Sequence, residues 1–191
     1  LVLGGWDVQP GSMYDAALQA GVLAPEELAP VREELEAVRP MTAAFSREWV
    51  RNLDGPHKKR GSGLRDLARQ LMDDIAGFRA AHGLERVVVV WCGSTEVLPP
   101  DDPAHRDLDA FERALDADSP AVPPSMLYAY AALKLGVPYA NGAPNLSADV
   151  PALEQLALET GAPVAGKDFK TGQTLLKTVL APMLKARMLG L

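Results

Sequence analysis

The fold class is decided by one stretch of the sequence, Val87-Val88-Val89-Val90-Trp91-Cys92-Gly93-Ser94-Thr95-Glu96. Its first half is a continuous apolar run, four β-branched valines followed by a tryptophan, rather than an alternation of apolar and polar residues. Such a run is typical of a strand that is buried on both faces, and strands of this kind belong to parallel sheets covered by helices. The stretch therefore predicts an α/β fold.

Helical and strand patterns alternate on either side of this run. Apolar residues recur at intervals of three and four, which predicts helices, over residues 28–38, 64–78, 108–115, 125–135, 151–160 and 171–188. Further strands are predicted at the start of the chain and over residues 137–140 and 163–166. Strands that are separated by helical crossovers imply a mainly parallel sheet with right-handed connections.

Composition and charge exclude several classes of function. The chain has 191 residues, of which 48% are hydrophobic and 23% charged, as in an ordinary globular protein rather than a disordered or fibrous one. The formal net charge of −6 argues against a general nucleic-acid binder, which needs lysine and arginine to neutralise phosphates. No apolar run approaches the roughly 20 residues that span a bilayer. We therefore expect neither nucleic acid nor membrane as a partner.

Cysteine, histidine and acidic residues give no sign of metal or thiol chemistry. The single cysteine, Cys92, excludes an intramolecular disulfide and a multi-cysteine zinc site, and it fits a reducing cytoplasm. We expect it to be a small buried residue rather than a nucleophile. The three histidines, the acidic pairs 73–74 and 101–102 and the basic cluster 57–60 are expected at the solvated surface. No metal site is therefore predicted.

The residues that follow the predicted strands share an unusual composition. In a parallel sheet ligands bind beyond the carboxyl ends of the strands, so a site is expected at these tips. Each tip combines glycine, which lets a ligand approach the backbone closely, with small hydrogen-bonding side chains. The tips are residues 4–7, 92–96, 141–145 and 166–174. Either they line one polar crevice, or glycine, asparagine and aspartate simply make the turns that each connection needs.

The fourth tip carries features that favour an anionic ligand. Thr171 can cap the helix that follows, which leaves the first N–H groups and the positive end of the helix dipole to an anion. Lys170 and Lys177 add positive charge nearby, and Asp168 can accept a hydrogen bond from a ligand hydroxyl or amide. The alternative for Lys177 is a position on a solvated helix face.

Four motifs at these tips resemble the inositol-phosphate synthase family. They are Gly-Gly-Trp-Asp at residues 4–7, Trp-Cys-Gly-Ser-Thr-Glu at 91–96, Ala-Asn-Gly-Ala-Pro-Asn at 140–145 and Gly-Lys-Asp-Phe-Lys-Thr-Gly-Gln-Thr-Leu-Leu-Lys at 166–177. Their order and spacing agree with the family pattern from Leu1 to Leu191, and the sequence resembles that of the shorter prokaryotic members. The resemblance implies a Rossmann-like NAD-binding domain over residues 1–170, with helices on both faces of the sheet. It also implies that residues 171–191 lead into a catalytic and oligomerisation domain.

The same resemblance implies a cytoplasmic enzyme of inositol and phospholipid biosynthesis. Members of the family convert glucose 6-phosphate to inositol phosphate with tightly held NAD, as homotetramers. A hydride leaves C5 for NAD, the C6 enolate attacks the C1 aldehyde and closes the ring, and the hydride then returns. Lysines offset the charge of the phosphate and of the developing enolate.

Site residues follow from the resemblance, motif by motif. Asp7 would contact the adenosine part of NAD, and Lys170 and Lys177 would act in catalysis. The remaining cofactor-binding positions would be Cys92, Gly93, Ser94, Thr95, Gly142, Ala143, Asp168, Phe169 and Thr171, of which the last three close over the nicotinamide side. Two positions depart from the family pattern, since Ala143 lacks the hydroxyl of a serine and Leu175 replaces a lysine that is common in eukaryotic members.

Two parts of the family pattern are expected outside the chain. The glycine-rich pyrophosphate loop would precede Leu1, and most catalytic lysines would follow Leu191. We therefore expect the isolated chain neither to bind NAD tightly nor to turn over. Two alternatives stay open, a non-catalytic nucleotide-binding relative and an NAD-dependent dehydrogenase of a phosphorylated sugar. A dehydrogenase would accumulate NADH, whereas the synthase shows no net change in NADH absorbance.

Overall fold

The computed structural model describes residues 1–169 and 173–188, and it alternates short strands with helices. The strands are β1 (Trp6–Asp7), β2 (Met41–Thr42), β3 (Val89–Trp91), β4 (Tyr139–Asn141) and β5 (Val164–Ala165). The helices are α1 (Met13–Ala20), α2 (Pro25–Leu28), α3 (Arg32–Ala37), α4 (Leu64–Ala81), α5 (Leu108–Asp116), α6 (Pro124–Lys134), α7 (Pro151–Thr160) and α8 (Gln173–Ala186). Short 3₁₀ helices occupy Ala29–Val31 and Pro103–His105.

The strands pair in parallel and form two sheets. β1 pairs with β2, and Trp6 lies opposite Met41. β4 lies between β3 and β5, so that Tyr139 is opposite both Val89 and Val164. Helices separate each pair of bonded strands along the chain, which is the arrangement that parallel connections require. The predicted parallel α/β fold is confirmed.

Helix α4 shows that the two sheets run in the same direction. Trp6 Nε1 in β1 donates to Asp74 Oδ2 in α4 at 2.6 Å. One helical turn later Phe78 covers Gly4, where an added Cβ would lie 2.5 Å from the Phe78 ring. The helix therefore runs antiparallel to β1, and the chain turns at Gly83 (φ +58°) and returns as β3. As a result the carboxyl ends of β1 and β3 lie on the same side of the molecule.

A cavity of about 940 Å³ separates β1 from β3. Its two long walls include residues 1–8 and 86–94, so it follows both strands along their length. Val89 is buried, but Val88 and Val90 are 58% and 48% exposed. The predicted burial of this run on both faces is therefore wrong, because within the described residues β3 has a bonded neighbour only in β4.

Helix α6 forms the centre of the hydrophobic core. All but one of its eleven residues are buried. It packs against α4 and α7 and also contacts β3 and β4. A helix that is apolar around its whole circumference belongs in the interior rather than at the surface. Its burial fixes the second sheet against α4, and hence against β1.

Three predictions of surface exposure are wrong. Lys59, in the basic cluster 57–60, has a side chain only 5% exposed and pairs with Asp74 Oδ2 at 2.6 Å. Asp74 is accordingly a half-buried partner for Lys59 rather than a solvated residue. His105 is buried, and its Nε2 lies 2.8 Å from the carbonyl oxygen of Ala121. In each case a polar group is satisfied by a residue distant in the sequence, which no local pattern reveals.

The helix predicted over residues 28–38 is interrupted. Helix α2, a 3₁₀ helix and α3 follow one another there, because Pro30 lacks an N–H group and cannot continue an α-helical ladder. The last predicted helix is present as α8, with Pro182 inside it. In the part of the chain that the structure describes, no helix combines the length and the apolar character needed to cross a membrane.

Candidate functional site

The ends of β3, β4 and β5 are joined by backbone hydrogen bonds. Gly142 N donates to Trp91 O at 2.8 Å, and Phe169 N donates to Gly142 O at 3.0 Å. The Phe169 ring also covers Gly142, where a Cβ would lie 2.4 Å from the ring. Any side chain at position 142 would displace this ring. The structure therefore brings Gly142 and Phe169 together.

The β5 tip follows a sharply turned backbone. Gly166 has φ +139°, and a Cβ there would lie 2.8 Å from the carbonyl oxygen of Asn141. Asp168 has φ +64°, a left-handed conformation that aspartate tolerates better than most residues. Its side chain is exposed. This backbone presents the Asp168 carboxylate to solvent next to Phe169.

A buried polar network links the β3 and β4 tips. Asn145 Oδ1 accepts from Glu96 N at 2.9 Å, and Asn145 Nδ2 donates to Ser94 O at 3.4 Å. Asn141 Nδ2 donates to Asn145 O at 2.6 Å, and Asn141 Oδ1 accepts from Ala143 N at 3.0 Å. The amide of Ala143 is therefore already bonded within the protein, and its side chain is buried.

Glu96 adds a buried carboxylate to this network. Ser125 donates to it twice, from the backbone N at 2.8 Å and from the side-chain Oγ. Because Ser125 lies in the first turn of α6, the carboxylate sits at the positive end of the helix dipole. Burial nevertheless raises the pKa of Glu96 to about 7, against the effect of both hydrogen bonds. Near neutral pH this group exists in both protonation states.

An aromatic cluster joins the β1 tip to the β3 tip. The Tyr128 ring of α6 lies 5.1 Å from the Trp6 ring and 5.1 Å from the Trp91 ring, centroid to centroid. Tyr128 Oη accepts from Ala44 N at 2.8 Å. Burial raises the pKa of Tyr128 well above its usual range, so the phenol stays protonated. Tyr128 of α6 thus contacts the carboxyl ends of both β1 and β3, one strand from each sheet.

Asp7 and the β3 tip line the same cavity between the two sheets. Asp7 is exposed, and its Oδ1 accepts from Gln9 N at 2.8 Å. Residues 92–95 are also exposed, so the prediction of a buried Cys92 is wrong. The thiol is at the surface because β3 ends at Trp91 and the chain leaves the sheet there.

Three of the predicted residues cannot be placed. Lys170 and Thr171 lie outside the described residues. Lys177 belongs to α8, and its side chain is also outside what the structure describes. The other predicted residues all lie at or after strand ends: Asp7 is the last residue of β1, 92–95 follow β3, Gly142 and Ala143 follow β4, and Asp168 and Phe169 follow β5.

Three residues that shape the site are missing from the sequence-based set, namely Glu96, Asn145 and Tyr128. Glu96 and Asn145 stand within the motifs at the strand tips, and their polar side chains in that position are a usable signal. Tyr128 gives no such signal, because its place in the apolar pattern of α6 marks it only as a core residue. Its contacts with both tryptophans depend on tertiary structure.

The arrangement suits an extended polar ligand at the sheet edge. The Asp7 carboxylate can accept from a diol, as acidic residues at strand ends do in dinucleotide-binding sheets. Ser94 and Thr95 are exposed and carry hydroxyl groups, whereas at Gly93 the Trp91 ring fills the side-chain position, 2.6 Å from where a Cβ would lie. Within residues 1–169 and 173–188, no group of three or more His, Cys, Asp or Glu is placed to hold a metal ion.

Comparison with known proteins identifies close sequence relatives. A family model described as myo-inositol-1-phosphate synthase matches residues 1–188. Inositol-3-phosphate synthase 1 of Bacteroides thetaiotaomicron is 47% identical over 191 residues, which are 100% of this chain and 44% of that protein. The protein of the same name from Oryza sativa subsp. japonica is 31% identical over 188 residues, which are 96% of this chain and 36% of that protein.

A solved structure agrees with the sequence matches. The inositol-3-phosphate synthase of Caenorhabditis elegans superposes with a TM-score of 0.89 at 27% identity, over 98% of this chain and 37% of that chain. This chain thus spans less than half the length of these relatives. The resemblance seen in the strand-tip motifs is confirmed, and so is NAD as the cofactor of the matched domain. With the match extending over nearly all of its residues, the chain belongs to the myo-inositol-1-phosphate synthase family, within that family's NAD-binding domain.

Proposed function

We propose that the protein containing this chain is an inositol-3-phosphate synthase, which converts glucose 6-phosphate to inositol phosphate. The relatives share that name. The observation that carries the proposal is the contact of Tyr128 with both Trp6 and Trp91, because it holds the strand ends of the two sheets beside one crevice. NAD bound in that crevice would supply reversible hydride transfer, so that the net reaction would be an isomerisation.

The β1 and β3 tips would bind the adenosine side of NAD. The exposed Asp7 carboxylate would accept hydrogen bonds from the ribose hydroxyl groups. Ser94 and Thr95 would donate from their hydroxyl groups, and Cys92 and Gly93 would lie along the cofactor. The network through Asn145 holds this loop in place before the cofactor arrives, which reduces the entropy lost on binding.

The β4 and β5 tips would form the nicotinamide side. The Phe169 ring, half exposed and seated on Gly142, offers an apolar face that keeps water from the reacting carbon. The exposed Asp168 carboxylate would accept a hydrogen bond from the cofactor or the sugar. Lys170, Thr171 and Lys177 stay predictions for this end, where positive charge would offset the substrate phosphate.

The cavity between β1 and β3 suits a further strand, which would lead into the glycine-rich loop that is expected before Leu1. Val89 and Trp91 hydrogen-bond to the β4 segment, so the N–H and C=O groups of Val88 and Val90 point toward the cavity. On the other wall β2 occupies one edge of β1, which leaves the opposite edge facing the cavity. Two open edges that run in the same direction suit one parallel strand between them.

Such a strand would complete a continuous sheet and would carry the glycine-rich loop at its carboxyl end. That loop would emerge between Asp7 and Ser94, where backbone N–H groups can bind the pyrophosphate. We place the NAD-binding domain at residues 1–170, and we take residues 171–191 to lead into the catalytic and oligomerisation domain. A homotetramer in the cytoplasm completes the proposal.

Product analysis tests the proposed reaction. The full-length protein, given glucose 6-phosphate and NAD, is expected to form inositol phosphate without a net change in absorbance from NADH. Steady accumulation of NADH would instead identify a sugar-phosphate dehydrogenase. Binding of NAD without any product would identify a non-catalytic relative, and either result would overturn the proposal.

The proposed role of Asp7 gives a second test. Asp7→Ala in the full-length protein is expected to weaken NAD binding about tenfold or more, because hydrogen bonds to a charged group contribute about 1.5–3 kcal/mol. Asp109→Ala, which removes an equally exposed carboxylate from α5, is the matched control and should leave NAD affinity unchanged. Calorimetric titration measures the NAD affinity of both variants. If Asp7→Ala bound NAD as tightly as the wild type, the adenosine would not lie at Asp7.

A further inference from the structure

Glu96 connects the proposed cofactor loop to the hydrophobic core. It directly follows residues 92–95, yet its side chain is only 8% exposed. Its carboxylate accepts from Ser125 N at 2.8 Å and from Ser125 Oγ. Ser125 is itself fully buried in the first turn of α6. The loop is thus attached, through one side chain, to the helix at the centre of the core.

The backbone of the same residue is attached to a different element. Glu96 N donates to Asn145 Oδ1 at 2.9 Å, and Asn145 follows the end of β4. Asn145 Nδ2 in turn contacts Ser94 O at 3.4 Å, inside the loop itself. Two independent anchors, α6 and the β4 tip, therefore meet at Glu96. A loop held at both points has few conformations to lose when a ligand binds.

The Glu96 carboxylate has no counter-charge among the side chains that the structure describes. Among the described residues no lysine, arginine or histidine forms an ion pair with Glu96. Burial and, to a smaller extent, the charge of Glu96 raise the pKa of Tyr128 of α6 and of Tyr139 of β4, and Asp7 of β1 and Cys92 line the same cavity as Glu96. Asp74 of α4, whose charge acts on Tyr128, is paired with Lys59, and Arg86 also lines the cavity without an ion pair to Glu96. Ionisation of Glu96 therefore adds a net negative charge to the crevice.

We propose that Glu96 is a positioning residue for the cofactor loop 92–95, and that its charge, which has no cation partner among the described residues that line the crevice, weakens the binding of NAD there. This inference rests on the proposed NAD site. The neutral carboxyl group can still accept from Ser125 N and can donate to Ser125 Oγ, so both protonation states keep the anchor. What changes between them is the charge that the cofactor pyrophosphate meets.

The direction of the effect follows from the signs of the charges. The pyrophosphate of NAD is anionic, and an ionised Glu96 repels it. Affinity should therefore be highest when Glu96 is protonated, and should fall as the pH rises through about 7. Repulsion between like charges in a partly hydrated site changes affinity by about three- to tenfold.

Calorimetric titration of the full-length protein with NAD, from pH 5.5 to 8.5, tests the proposal. Glu96→Gln keeps an acceptor and a donor for Ser125 but carries no charge, so its affinity should match the wild-type value at low pH and stay constant above it. Glu96→Ala removes the anchor and should bind about tenfold more weakly at every pH. Glu85→Gln makes the same charge change at an exposed position before β3, and should retain the wild-type pH profile.

Two results would overturn the proposal. One is a Glu96→Gln variant that keeps the wild-type pH dependence, and the other is a Glu96→Ala variant that binds NAD as tightly as the wild type. A purely structural role would lower the stability of both variants without separating their pH profiles. The separation of the two profiles is therefore the decisive readout.

Hydrogen exchange on the ligand-free protein separates this inference from the proposed function. The amides of residues 93–95 should exchange faster in Glu96→Ala than in the wild type, and at the wild-type rate in Glu96→Gln. If no variant binds NAD, the proposed function fails, but exchange still decides whether Glu96 holds the loop. Equal exchange in all three proteins would exclude that role.

Discussion

Gly142 and Gly77 show two very different uses of one residue type. At Gly142 the Phe169 ring occupies the place of a side chain, so that a Cβ would lie 2.4 Å from it. At Gly77, within α4, nothing lies within 4 Å of the place where a Cβ would be. Glycine is needed at the first position for a contact between strand tips. At the second it only weakens a helix.

Alanine substitution should separate these two cases. Gly142→Ala is expected to destabilise the protein by about 1–3 kcal/mol, because the ring must move to admit the methyl group. Gly77→Ala is expected to stabilise it by about 0.5–1 kcal/mol through helix propensity. Urea unfolding of both variants measures the difference. If Gly142→Ala left the free energy of unfolding unchanged, the contact with Phe169 would not exist in solution.

The pKa of Glu96 also predicts how stability depends on pH. The folded-state pKa of about 7 lies above the ordinary value of 4.5, so the folded state binds the proton more tightly than the unfolded chain does. The resulting stabilisation is fully present below pH 4.5 and is lost as the pH rises through 7. It corresponds to roughly 3 kcal/mol between these limits.

Comparison of wild type with Glu96→Gln isolates this contribution from those of other carboxyl groups. The difference in free energy of unfolding between the two proteins should shift in favour of the variant as the pH rises from 4.5 to 8. Chemical denaturation at several pH values measures it. A difference that did not change with pH would mean that the carboxyl group titrates normally.

At the scale of elements, α4 begins without a cap of its own. Its N-cap residue is Gly63, which has no side chain to accept from the first turn. Leu64 N donates instead to Asp118 Oδ1 at 2.6 Å, and Asp118 lies in the link after α5. Asp118 has φ +51°, so its backbone bends to bring the carboxylate to the helix. The start of one helix therefore depends on a residue 54 positions away.

Substitution of Asp118 tests this remote cap. Asp118→Ala is expected to lower the free energy of unfolding by about 1–2 kcal/mol, because it removes the acceptor and disfavours a positive φ. Asp118→Asn keeps an oxygen acceptor and tolerates that backbone conformation, so its loss should be smaller. Thermal unfolding followed by circular dichroism compares the two. Equal melting temperatures for the alanine and asparagine variants would argue against the cap.

The local sequence pattern predicts whether a segment is a helix or a strand better than it predicts which residues surround that segment in the fold. The apolar periodicity that predicts α4, α5, α6 and α7 depends on neighbours three and four residues apart, and the structure has helices at all four places. The exposure of Val88 and Val90 depends instead on which strands flank β3. The burial of Lys59 likewise depends on Asp74, which lies on another element. No short-range pattern contains that information.

At the scale of the whole molecule, topology explains why the tips were predictable and the contacts between them were not. Parallel strands necessarily end on one edge, so motifs that follow strands gather there. The contacts that connect the strand tips are made by side chains of the core, such as Tyr128 and Ser125, whose positions depend on tertiary packing. The motifs therefore predict where the site lies, whereas the contacts within the site are seen only in the three-dimensional structure.

The cavity between the sheets predicts a difference in amide exchange between the isolated chain and the full-length protein. In the isolated 191-residue chain the amides of Val88 and Val90 should exchange rapidly, because they face the cavity. In the full-length protein they should be protected by a bonded strand. Hydrogen exchange read by mass spectrometry compares the two proteins. Equal exchange would show that no strand occupies the cavity.

The affinity for NAD should also differ between the isolated chain and the full-length protein. We predict that the pyrophosphate loop precedes Leu1, so the isolated chain is expected to lack two or three charge-assisted hydrogen bonds, which corresponds to a loss of about 100-fold or more. Calorimetric titration of both proteins measures the loss. A chain that binds NAD as tightly as the full-length protein would carry its own pyrophosphate site.

The pairing of Trp6 and Trp91 with one tyrosine has a practical consequence for spectroscopy. Two of the three tryptophans line the crevice, and the third, Trp49, is not among the residues lining it. Ultraviolet excitation of the unlabelled protein should therefore draw much of its emission from indoles beside the proposed dinucleotide site. A reduced nicotinamide there absorbs at the wavelengths that tryptophan emits, so energy transfer would report occupancy and redox state in a single optical trace.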